Sequence, residues 1–236
     1  MDDLIRQILE ETNYEENPYM VGLHDGSFEL DDFVETQIQF YYAVVFFSRP
    51  MAALAAKIPT AELRLEVMRN VWEEHGEGLL GAGHGVTFTD LLDRLGGVTP
   101  EDIVKRALWP EVRMFNSVLS GACVLDEYII GTGVMAMIER MFVDISAWIG
   151  QGILDRGWIE EGQLVHYNVH KELDIKHSQD FFDVLAPAWE ASEENGYYVE
   201  QGLRLGAHTF DTLYRGLYAA RKRRATRTVL GYHTRS

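Results

Sequence analysis

Apolar residues recur at intervals of three and four along nearly the whole chain, and few stretches alternate as a half-buried strand does. That period restricts the chain to packed helices. Glycine and proline punctuate it, and the pattern predicts helices over residues 2–12, 30–57, 60–77, 87–95, 100–107, 109–120, 122–149, 160–185 and 192–224. Pro50 should kink or split the second helix, because it cannot donate the interior hydrogen bond. "TPED" (99–102) and "SEEN" (192–195) carry helix-start chemistry, with early acids that suit the helix dipole. The five glycines of "GEGLLGAGHG" (76–85) require a loop. With no low-complexity linker and no repeat, residues 1–225 read as one all-α domain, followed by a flexible tail over 226–236.

Charge and cysteine usage narrow the function classes. A net charge of −16 repels polyanions, so nucleic acid is not an expected partner. No run of eighteen apolar residues is present, so no membrane span is expected. The acidic start "MDDLIRQILEETNYEEN" lacks the pattern of a secretory signal. Cys123 is the sole cysteine, which excludes an internal disulfide and a cysteine-rich zinc site and fits a cytoplasmic location. The basic cluster of Arg221, Lys222, Arg223 and Arg224 reads as a solvated helix end.

The chemistry-bearing signal is "HKELDIKH" (170–177). On a helix, positions i, i+4 and i+7 fall within about 60° of one another. His170, Asp174 and His177 therefore share a face, and Tyr167 and Phe181 continue it toward the core. Three ionisable groups on a buried stripe are costly unless something compensates them. Two imidazoles and a carboxylate suit iron, zinc or manganese.

Further ligands should come from other helices. In "ELRLEVMRNVWEEHGEG" (62–78), Leu63, Val67, Asn70 and Glu74 share one stripe, while Glu62, Glu66, Arg69 and Glu73 share a second that reads as solvated. Glu74 is thus expected inside and Glu73 outside. The glycine loop lets His84 fold back toward Glu74, with His75 and Glu77 as rivals at that corner. In "YIIGTGVMAMIERMFVDISAWIG" (128–150), Glu139 lies on an apolar stripe, and Arg140 is poorly placed to pair with it. Gly131 and Gly133 permit close approach of another helix. Three carboxylates and three histidines exceed the needs of one catalytic metal and suit two metals bridged by carboxylates. Two ferrous ions against Glu74, Glu139 and Asp174 leave a nearly neutral site.

"NVWEEHGEG…H", a lone buried glutamate and then His-x3-Asp-x2-His resemble the heme-oxygenase-like diiron oxidases and oxygenases, over about residues 30–215. The resemblance implies an all-α, heme-oxygenase-like bundle of about seven core helices, a homodimer, two Fe(2+) per chain and O2 as co-substrate. It implies iron ligation by Glu74, His84, Glu139, His170, Asp174 and His177, with Glu74, Glu139 and Asp174 taking part in catalysis. Glu35 is a weakly matched extra carboxylate, and His166, one turn before His170, is placed to support the ligands or gate the site. The substrate it implies is a small molecule, an amino acid or related acid, undergoing N-oxygenation, oxidative C–C cleavage or nitrile formation. The same bundle hosts iron-independent enzymes, thiaminase II with a catalytic cysteine and pyrroloquinoline-quinone synthase. Those, and a non-catalytic ligand-binding bundle, remain alternatives.

Overall fold

The structure is a computed structural model that describes residues 1–79, 81 and 83–227, with the side chains of Val165 and of residues 168–174 outside the described set. Among the described residues there are ten α-helices and no β-strand. They are α1 (Asp2–Thr12), α2 (Pro18–Asp25), α3 (Leu30–Lys57), α4 (Ala61–Glu74), α5 (His84–Gly96), α6 (Pro100–Lys105), α7 (Pro110–Ser120), α8 (Tyr128–Asp155), α9 (Val165–Ala191) and α10 (Glu193–Ala220).

Local chemistry sets the helix ends. Thr99 and Asp102 form a reciprocal capping box at α6, and Ser192 accepts the Asn195 amide at α10. Helix α2 does not appear among the expected elements, yet Asn17 caps it and Pro18 opens it. Pro50 does not split α3, which runs unbroken through it. The carbonyl left without an intrahelical donor is that of Phe46, in a half-buried stretch of the helix.

Helix α8 forms the axis of the bundle and packs along both α9 and α10, while α4 and α5 close the side between α3 and α9. Glycines make the α8–α10 crossing close. A Cβ on Gly202 would lie 2.5 Å from the Ile130 carbonyl oxygen, and one on Gly206 would lie 2.6 Å from that of Val134. Gly133 faces Gly202 across this seam, as its spacing suggests, whereas Gly131 meets the π-helical turn Gly121–Leu125. The core is predominantly aromatic and aliphatic, and it encloses Glu139, Asn70 and His177, each under 5 % exposed.

The basic cluster is exposed over Lys222, Arg223 and Arg224, as a solvated end would be, but two of its arginines are paired. Arg223 forms a two-pronged pair with Glu111, and Arg224 bonds Asp32 at 2.6 Å. The chain then bridges antiparallel to the α6–α7 connection, where the Ala107 amide donates to the Ala225 carbonyl and the Arg227 amide to that of Lys105. Thr226 and Arg227 are thus held against the α6–α7 connection.

Candidate metal centre

Four segments deliver polar side chains to one interior point. The last turn of α4 supplies Glu73 and Glu74, the first residue of α5 supplies His84, mid-α8 supplies Glu139 and mid-α9 supplies His177. Ligand-capable atoms of Glu74, Glu139 and His177 all lie within 4.8 Å of one another. His84 Nδ1 lies 2.9 Å from Glu74 Oε1, with both side chains almost fully buried. The glycine-rich connection returns α5 toward the end of α4, and this places His84 against Glu74 as the sequence suggests.

Of the residues named from the sequence, Glu74, His84, Glu139 and His177 are thus brought together. His170 and Asp174 fall on α9, but their side chains lie outside the described residues. His75 is exposed, with Nδ1 against the Val71 carbonyl, and Glu77 is exposed. Glu35 is buried but distant in role, since its carboxylate receives Arg106 Nε at 2.9 Å. Arg140 pairs with Asp144 at 2.8 Å and not with Glu139.

Glu73 overturns its expected place on the solvated stripe. Its Oε2 accepts from His177 Nε2 at 2.7 Å. A helical wheel of α4 assigns only one flank to the core, but α9 packs against the neighbouring flank as well. The same seam carries an Asn70 amide donating to Asp180 Oδ2 at 3.0 Å, and a Lys176 contact with Glu66 at 3.8 Å. The polar positions of α9 were the available signal, because a buried His177 needs an acceptor on the adjoining helix.

This bond decides the chemistry of His177. A neutral imidazole carries one N–H and one lone pair. With Nε2–H held by Glu73, the lone pair sits on Nδ1, which is buried and has no hydrogen-bond partner among the described residues. A buried imidazole lone pair beside two carboxylates is a donor set that fits a first-row transition metal. A carboxylate on the far nitrogen is the usual support for a ligating histidine.

His166 is buried beside the site. Its Nδ1 lies 3.0 Å from Thr87 Oγ1, whose hydroxyl donates to the His84 carbonyl at 3.0 Å. His166 thus braces the first turn of α5, which carries His84.

A cavity of about 50 Å³ adjoins Glu74, His84 and Glu139. Phe40, Phe142 and Phe210 form one wall, with ring centroids 5.8 to 6.5 Å apart. Beyond this wall, Tyr41 packs on Phe88, Phe46 lies under Arg49, and Met135 and Tyr167 are core residues.

The fold and site together define an all-α, heme-oxygenase-like bundle with a carboxylate–histidine centre. The sequence profile of the iron-containing redox enzyme family matches residues 34–210, and the chain belongs to that family. No curated protein matches the sequence. Among solved structures, a CADD-like protein of unknown function from Nostoc punctiforme superposes with a TM-score of 0.74 at 16% identity, covering 92% of this chain and 96% of that one. A TenA homologue from P. horikoshii superposes with a TM-score of 0.71 at 14% identity, covering 92% and 98%. A putative TenA-like thiaminase from Sulfolobus solfataricus gives 0.62 at 16% identity, covering 93% and 95%. At these identities the likeness is one of fold. No described helix is long and apolar enough to cross a membrane.

Proposed function

We propose that the chain is a nonheme diiron oxidase or oxygenase that uses O2 to oxidise a small organic molecule, with amino acids and their relatives as the first candidates. The observation that carries this reading is the convergence of Glu74, Glu139 and His177 on one buried point within 4.8 Å. In this reading Glu74, His84, Glu139, His170, Asp174 and His177 hold two ferrous ions. The ions, when bound, supply the electrons that reduce dioxygen.

The chain's own groups do the rest. Glu74 and Glu139 place negative charge where cations would be held, and the dry surroundings strengthen that attraction. Glu73 keeps the His177 proton on Nε2, so Nδ1 stays available as a donor. Thr87 and His166 fix the turn that presents His84. The phenylalanines exclude water, which limits stray oxidation of the protein.

The cysteine-dependent alternative is disfavoured by Cys123 itself. Burial pushes its thiol up to about 12, far from a neutral-pH nucleophile. The experiment is anaerobic loading of the purified chain with ferrous ion, followed by addition of O2 in an oxygen-electrode cell. Oxygen uptake stoichiometric with bound iron supports the proposal. Iron that binds but consumes no oxygen, even with a panel of amino acids present, contradicts it.

A further inference from the structure

The cavity beside the metal centre carries its own statement about substrate chemistry. Apart from Glu74, His84 and Glu139, its lining among the described residues is apolar throughout, and no lysine or arginine contributes to it. An anionic group placed on that lining would lose its hydration with no lysine or arginine to compensate it, and a cationic group would compete with the metal ions for Glu74 and Glu139. Alkyl and aryl groups face no such penalty, and each methylene moved from water into such a space tightens binding about fourfold.

Helix α3 shows where the cavity opens. Phe40, Ala43, Val44 and Phe47 share one helical stripe and all line the cavity. Phe40 and Ala43 are 3% exposed, and Met51, further along the same stripe, is fully buried. Val44 and Phe47, between them, are only half-buried. Solvent therefore reaches an inward-facing stripe at those two positions and not at its ends. Phe115 of α7 and Ile138 of α8 face them across the space.

We infer that this cavity is the substrate berth and takes an uncharged hydrocarbon group, an alkyl segment or an aryl ring, inserted past Val44 and Phe47 with its C–H bonds toward Glu74, His84 and Glu139. Any charged group of the substrate stays at the mouth. The volume has room for roughly four waters, so the berth holds the reacting end and not a whole large molecule. This inference rests on the diiron oxidase reading of the same site, because it makes the inserted group the one that is oxidised.

The test uses the full chain, with and without ferrous ion. Calorimetric titration with 1-propanol, 1-butanol, 1-hexanol and 1-octanol should show affinity rising about fourfold per methylene until the berth is full, then levelling. Glutamate and lysine should show no binding at matched concentration. Val44→Trp should weaken butanol and hexanol at least tenfold while ferrous binding is retained. Affinity independent of chain length, or tighter binding of glutamate or lysine than of the alcohols, overturns the inference, and so does alcohol binding that Val44→Trp leaves unchanged. The chain-length series needs no variant, so it decides the matter even where Val44→Trp folds poorly. Alcohol binding with no retained iron sinks the diiron reading, and with it the claim that the inserted group is oxidised, while the apolar occupancy of the cavity stands. Retained iron with no alcohol binding does the reverse.

Discussion

The Glu73 carboxylate lies 2.7 Å from His177 Nε2, tying the last turn of α4 to the middle of α9. The bond orients the ring and fixes its tautomer, so Glu73 acts on the metal centre through His177. Glu73→Ala should raise the dissociation constant for ferrous ion about 10- to 100-fold. Glu73→Gln, which can still accept the Nε2 proton, should recover part of that loss. Equilibrium iron titrations of the two variants, with circular dichroism as the folding control, check the expectation. Equal losses in both would show that charge, and not the hydrogen bond, matters.

Glu139 tests the cost of building the centre. It is 4% exposed, with ligand-capable oxygen close to that of Glu74. Two buried carboxylates at this range repel when no cation lies between them. Metal-free Glu139→Gln should therefore be more stable than the parent, by about 1 kcal/mol. With ferrous ion present the order should reverse. Chemical denaturation with and without iron measures both signs.

The α8–α10 seam sets the position of Glu139 and depends on absent side chains. Gly202→Ala would put a methyl group 2.5 Å from the Ile130 carbonyl oxygen, a contact relieved only by moving a helix. A loss of about 1–3 kcal/mol is expected in denaturation. Gly162→Ala, with open space at the Cβ position, should leave the midpoint nearly unchanged.

Cys123 predicts an alkaline limit. Its folded-state value is pushed up to about 12 by burial, whereas an unfolded thiol ionises near 8.5. The folded state then retains a proton that the unfolded state has lost. Stability present below about pH 8.5 should fall as pH rises toward 12, at up to ~1.4 kcal/mol per pH unit for this one group. Burial raises the hydroxyls of Tyr167 and Tyr214 in the same direction, so they extend the decline. Cys123→Ala should flatten the slope between pH 8.5 and 10 in urea titrations. The same variant should keep its iron-dependent oxygen uptake, which a cysteine-nucleophile enzyme would not.

Helix periodicity made the bundle legible, because apolar spacing is local and survives without knowledge of partners. Glu74 and Glu139 were legible for a similar reason, since a charge on an apolar stripe is conspicuous, and His84 because the glycine-rich loop lets it fold back toward Glu74. Glu73 was not. A helical wheel assigns one face to the core, and only the docking of α9 makes the next flank of α4 interior as well. Helix α2 was overlooked because a short helix carries little periodic signal, although "NP" announced its start. The pairing of Arg223 and Arg224 was not legible because Glu111 and Asp32 are distant in sequence. Pro50 shows the limit of a propensity rule, since α3 runs through it while packed against α4, α5 and α7.

The central claim is that the buried carboxylate–histidine cluster holds iron. Anaerobic equilibrium dialysis of the wild-type chain against ferrous ion, followed by iron analysis of the protein fraction, tests it most directly. The account predicts retention approaching two irons per chain, reduced at least tenfold in affinity by His177→Ala. A folded wild-type chain that retains no iron, or retains it equally well without His177, contradicts the account.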